Sequence, residues 1–172
     1  MEEMMKKRKW LKLLLAVSYA MLVCTSVAFA GPVPDTGVSS EPACNPHSYT
    51  DLGNGIIKDN VTGLMWQKDI APGNYTLDEA GVYCKNLTLG GYTDWYVPTV
   101  RELTSLVDSS IPQPGPTINA AYFPNTVASG YWSSTTNASN TSDAWLVGFD
   151  FGVVRSHSKS THYCVRAVRS GQ

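Results

Sequence analysis

The 172-residue chain has no Cys-x-x-Cys pair. That leaves no basis for a structural zinc site or a thioredoxin-like redox motif. It has no Gly-x-y period and no internal repeat, so a collagen stalk or a solenoid is not encoded. Histidine is scarce: His47, His157 and His162 are the three present, and none shows helical metal-ligand spacing. We therefore expect no metal and no cofactor. A long apolar run occurs only at the start, where "LLLAVSYAMLV" (Leu13–Val23) follows a basic head of Lys6, Lys7, Arg8, Lys9 and Lys12. Small residues at Ala28 and Ala30 close the pattern. This is the layout of a secretory signal peptide over residues 1–30, cut after Ala30. The run is short for a stable membrane span, and no later segment is longer. Cys24 follows Val23, where a lipoprotein signal would need a small residue.

Positive charge is also in short supply once that head is removed. Of thirteen Lys and Arg, five lie in it; of fourteen Asp and Glu, two do; eight against twelve leaves a net charge of −4. Phosphate binding needs concentrated positive charge, so nucleic acid is not an expected partner. Export implies an oxidising compartment, whether periplasm, cell surface or medium. Cys44, Cys84 and Cys164 remain, enough for one bridge and one leftover thiol.

Residues 31–48 are rich in Pro, Ser and Gly and read as a linker. A folded domain over 49–170 follows. Asn54-Gly55 is a hairpin signal, because both residues tolerate positive φ. Asp59-Asn60 and Thr62-Gly63 mark a second turn. Asp51, Asn54, Asp59 and Asn60 fail the EF-hand spacing and suit turns instead. In "YTLDEAGVYCKNLTLGG", Thr76 and Glu79 have capping-box spacing, and Leu77, Ala80, Cys84 and Leu87 share one helical face. Cys84 therefore points inward. Thr99 and Glu102 repeat the capping box before Val100, Leu103, Leu106 and Val107. Glu102 thus has a structural role, and no nearby partner equips it as a catalytic base.

A proline-bearing loop spans residues 109–130, with a helical turn expected near Asn119–Tyr122. "GYWSSTT" reads as a strand. "AWLVGF" and "VVRSHSKS" read as a hairpin turning at Asp150–Gly152, and "THYCVRAVR" as a final strand. The order predicts an α+β domain: an antiparallel sheet, two helices and long irregular loops.

Five pieces, "DNVTGLMWQK", "EAGVYCKNLTLGGYTDWYVPTVRELTSLVD", "YWSST", "AWLVGFDFGVV" and "CVRAVR", together resemble the Lcl C-terminal domain family of bacteria. They run in family order over roughly residues 49–169. The family pattern often has Arg-Leu-Pro where this chain has Tyr96-Val97-Pro98, so no basic residue is carried over there. The resemblance implies a C-type lectin-like fold, related to the formylglycine-generating enzyme scaffold. In that fold a disulfide joins the first helix to the last strand. Cys84 and Cys164 occupy those places, which implies a bridge between them and leaves Cys44 as the odd thiol, free or paired between chains.

The family takes its name from the end domain of a collagen-like adhesin. The resemblance therefore implies non-catalytic recognition of a glycan or a surface protein. Arg155, His157 and Lys159 alternate, which places them on one strand face. His162, Arg166 and Arg169 extend this basic set toward sulfated or carboxylated sugars. The competing reading is a solvated strand, with Arg166 or Arg169 in a structural ion pair. Among the aromatics, Trp66, Trp95 and Trp132 are expected in the core, and Trp145 is open to either role. The Glu-Pro-Asn and Trp-Asn-Asp motifs of calcium-dependent lectins are absent from the expected region. An enzyme of the formylglycine-generating type would need a close cysteine pair, which Cys164 lacks. A structural role in an envelope assembly is the alternative to adhesion.

Overall fold

A computed structural model describes residues 47–171. The expected signal peptide, Cys44 and nearly all of the linker lie outside the described residues. The first hairpin forms where Asn54-Gly55 predicts it. Strand β1 (Tyr49–Gly53) pairs antiparallel with β2 (Ile56–Asp59). Asn54 and Gly55 take φ of 52° and 80°, the paired positive values that a tight hairpin needs. At the next turn, the Asp59 carboxylate accepts from the backbone N–H of Val61 (2.8 Å) and the hydroxyl of Thr62 (2.7 Å). Asp51 accepts from Gly53 N–H and pairs with Lys68 at 2.8 Å. These carboxylates are committed to turns and a surface ion pair. Strand β3 (Met65–Gln67) then returns beside β2.

Helix α1 (Leu77–Asn86) and helix α2 (Val100–Thr104) both open on complete capping boxes, from Thr76 with Glu79 and from Thr99 with Glu102. Each box satisfies donors that a helix start leaves unpaired. Helix α2 is shorter than its apolar pattern suggests. Ser105 N–H spreads over three carbonyls, and Leu106 and Val107 bond to Leu103 and Thr104. The helix tightens into i→i−3 turns, yet Leu106 still reaches the core.

Strand β4 (Gly130–Thr136), β5 (Asp143–Gly148) and β6 (Val153–Ser158) make a second, separate sheet in that order. The single sheet expected from sequence is thus two, the other running β1-β2-β3-β7 with β7 at Val168–Arg169. The predicted final strand is mostly not one. Residues 163–168 share out their backbone bonds among Tyr75, Gly130, Trp132, Ala71, Gln67 and Tyr96. Residues 164–169 are all buried, so the segment has no solvent face for side chains to alternate with. It is the stitch that holds both sheets together.

Two apolar clusters follow from this arrangement. One contains Tyr131, Val147, Phe149, Leu103 and Leu106. The other contains Trp132, Ala144, Leu146, Ala80 and Cys84. Tyr131 alternates with Trp132, and Leu146 with Val147, so the β4–β5 pair feeds one cluster from each face.

The expected Cys84–Cys164 bridge is not formed: both are buried free thiols. They belong to different clusters, Cys84 to the one under α1 and Cys164 to the one with Tyr131. The Cys164 thiol instead lies 3.4 Å from the side-chain oxygen of Asn74. Burial in apolar surroundings pushes the Cys84 thiol up to about 12, which suits an inert packing group.

Candidate functional site

The residues singled out by sequence do not converge. Arg155 and His157 lie opposite Leu146 and Ala144 in the β5–β6 ladder, so they share that sheet face. Arg155 is already engaged, with both Asp150 carboxylate oxygens within 3.0 Å. It also lies 5.8 Å from the Phe151 ring centroid. His157 meets Tyr163 edge-on at 5.3 Å. Lys159 continues the ladder through its N–H to the Ser142 carbonyl.

His162 sits elsewhere, in an open groove of about 730 Å³ along α1, among Asn74, Tyr75, Asp78, Glu79 and Tyr83. This groove is acidic. Glu79 already supplies an anion at the helix start, its carboxylate 2.8 Å from both the backbone N–H and the hydroxyl of Thr76. Those bonds hold its carboxyl below the usual range, with His162 at 3.8 Å adding a smaller effect. An incoming anion would meet like charge here.

Arg166 and Arg169 do not extend a basic surface. Arg166 is fully buried. Arg169 is 6% exposed and binds both Asp94 oxygens, at 2.8 and 3.1 Å, while stacking 3.8 Å over Tyr92. The structural ion pair is the reading that holds for Arg169. Its hydrogen bond keeps the Asp94 carboxyl below the usual range.

This has an acid-stability consequence. Asp51, Glu79, Asp94 and Asp108 are all held low by donors that the unfolded chain lacks. Their contribution is full above the ordinary carboxylate values of 3.8 and 4.5 and is lost as pH falls through the lower folded values. The urea midpoint is expected to fall as pH drops below about 4.5, with a shallower fall in Asp94→Asn. An acid limb unchanged by that substitution would show that Asp94 is not among the groups responsible.

Trp145 has a different setting. Trp66, Trp95 and Trp132 are at most 3% exposed, whereas Trp145 is half-buried. It lies on the face of β5 opposite Ala144 and Leu146. Helix α2 covers part of that face, anchored by Ser134 N–H to the Pro98 carbonyl and Val100 N–H to the Thr135 hydroxyl. Leu103 and Leu106 point into the core, which turns Arg101 and Thr104 outward. The result is an open groove of about 540 Å³ lined by Val100, Arg101, Thr104, Ser105, Trp145 and Val154. Arg101 is exposed and makes no ion pair among the described residues. The half-buried Trp145 side chain, an unpaired guanidinium and two hydroxyl side chains, which donate to the Val100 and Glu102 carbonyls at 2.7 and 2.6 Å, converge here. Sequence reasoning passed over Arg101, because its position off the apolar face of a capped helix looks like ordinary solvation. Its proximity to Trp145, forty-four positions later, has no local signal.

Glu102 is not poised as a base. It accepts from Thr99 N–H (2.7 Å), the Thr99 hydroxyl (2.9 Å) and the Tyr96 hydroxyl (2.9 Å). No group of three or more His, Cys, Asp or Glu side chains that could hold a metal occurs among the described residues. Nor is any helix among them long and apolar enough to cross a membrane.

The family model for the Lcl C-terminal domain matches residues 55–169. The chain belongs to the Lcl C-terminal domain family. No curated protein matches it at a significant level. The family match covers both helices, both grooves and all of the second sheet, so the Trp145 groove is built entirely from family-domain elements.

Proposed function

We propose that this Lcl C-terminal domain is an exported, non-catalytic recognition module that binds glycan in the groove between α2 and β5. The domain is taken as 49–170, behind a signal peptide and linker. A C-type lectin-like reading of the fold rests on the family resemblance and accords with two helices flanking small antiparallel sheets. The carrying observation is that Trp145 is the one tryptophan among the described residues with an open face, beside an unpaired Arg101. A sugar ring stacks its C–H face on an indole, and Arg101 offers a planar donor pair to a carboxylate or sulfate. The cationic contribution therefore moves from Arg155 and Lys159 to Arg101.

The test is a glycan screen with neutral, carboxylated and sulfated sugars, using chain purified after export, with chelator and salt as variables. Binding is expected to resist chelator. Trp145→Ala should weaken it about tenfold or more, and Arg101→Ala should weaken only the anionic sugars. Arg155→Ala and Lys159→Ala should leave it unchanged. Undiminished binding by Trp145→Ala would overturn the assignment.

A further inference from the structure

Among the described residues, strand β6 is an edge strand, with β5 on one side and no strand on the other. Its ladder with β5 runs through six consecutive pairs without a register shift. The phase of that ladder follows from one bond: Lys159 N–H donates to the Ser142 carbonyl at 3.0 Å. Hydrogen-bonded pairs recur every second residue in an antiparallel ladder. His157, Arg155 and Val153 therefore bond inward to β5. Val154 and Ser156 direct their N–H and C=O groups outward, and these meet no backbone partner among the described residues. The Ser158 carbonyl, in the same phase, is closed by Thr161 N–H at 2.9 Å.

Most exposed edges are blunted by proline, a bulge or a covering loop. Here none of β6 is proline and the pairing is regular. Apolar side chains stand open along it: Phe151 is 47% exposed, Val153 40% and Val154 44%. The charge pattern selects among occupants. Arg155, His157 and Lys159 share one face, and only Arg155 has an acidic partner there, Asp150. A second copy added edge to edge would bring this basic row against itself, which is unfavourable for facing pairs. A strand carrying carboxylates at alternate positions would be complementary.

We propose that the outer edge of β6 is a docking site for an extended, acidic segment of a protein partner, added as a further strand. Main-chain bonds at Val154 and Ser156 provide the affinity, while His157 and Lys159 select acidic residues on one face and Val153 contributes apolar contact. The main-chain edge is distinct from the Trp145 groove, although Val154 lines that groove and Ser156 pairs across the ladder with Trp145.

The probe is a blocked hexapeptide of alternating valine and glutamate, titrated into the exported chain. A second peptide replaces each glutamate with lysine. Backbone amide exchange of Val154 and Ser156 should slow about tenfold with the acidic peptide. The lysine peptide should bind at least about tenfold more weakly. Ser156→Pro removes an outward N–H without breaking the β5 ladder, at the cost of the Asn137 bond to the Ser156 hydroxyl, and should abolish peptide binding. Trp145→Ala should weaken glycan binding and keep peptide binding, so failure of the glycan site does not disguise failure of the edge. Should Ser156→Pro misfold, the exchange measurement on the unmodified chain decides alone. Equal binding of both peptides, or protection at amides other than Val154 and Ser156, overturns the proposal.

Discussion

Replacing Arg166 with methionine is expected to destabilise the folded chain by roughly 3–5 kcal/mol. The arginine is fully buried and has no ion pair among the described residues. Its Nη1 donates to the Gln67 carbonyl at 2.8 Å and also to the Lys68 carbonyl. Its Nη2 donates to the Thr126 hydroxyl at 2.7 Å, and the guanidinium lies 4.7 Å over the Phe123 ring. Burial is costly enough to push this guanidinium down to about 10, with nearby Tyr131 opposing the shift.

A buried ion pair can often be replaced by apolar groups at little cost, because both charges leave together. That escape is closed at Arg166. Its main partners are backbone carbonyls, which no side-chain substitution removes. Methionine restores much of the volume but leaves those carbonyls without this donor, at about 1–3 kcal/mol each. Urea unfolding measures the loss directly. Arg166→Lys should fall between the two, since one ammonium can reach a carbonyl but cannot span all three acceptors. A loss under about 1 kcal/mol for Arg166→Met would show that water or relaxation satisfies the carbonyls instead.

Truncating Trp132 to alanine should cost a similar roughly 3–5 kcal/mol, whereas the same change at Trp145 should cost about 1 or less. Trp132 is wholly buried, its indole N–H donates to the Tyr75 carbonyl at 2.8 Å, and its ring meets Tyr163 edge-on at 5.2 Å. Removing it opens a cavity and takes one of two donors from the Tyr75 carbonyl, which keeps the Tyr163 N–H at 2.9 Å. Trp145 has one face in the groove and supports less. Thermal or urea melts of the two variants, read beside the glycan screen, separate a packing tryptophan from a binding one. Equal losses at both positions would place Trp145 in the core and remove the basis of the proposed site.

The local elements were legible because local chemistry decides them. Asn54-Gly55 can supply two positive φ values, so the hairpin forms there. Thr76 with Glu79, and Thr99 with Glu102, close their capping boxes within four residues, and both helices begin where those boxes stand. The turn role of Asp59 was equally readable, since its carboxylate bonds within three residues. The family pieces identified the domain as a whole.

The candidate site was less legible. Period-two alternation predicted a basic face from Arg155 to Lys159, continued by Arg166 and Arg169. It assumed that each segment is a strand with one solvated side. Strand β6 keeps that geometry, but Asp150 neutralises Arg155 through a contact made across the turn. Residues 164–168 break the assumption altogether, since their backbone bonds reach several separate segments and both sides are buried. The implied Cys84–Cys164 bridge failed for a related reason: the two thiols are packed into different clusters.

Sequence by itself determined the family, the turns, the helix starts and the inward direction of Cys84 and three of the tryptophans. Each depends on neighbours within a few positions or on motif order along the chain. Only the tertiary structure decided that the sheet is two sheets, that Arg166 is a buried staple, and that Arg101 stands beside Trp145. Those outcomes rest on contacts between residues tens of positions apart, whose geometry exists only once both sheets are closed around the last segment.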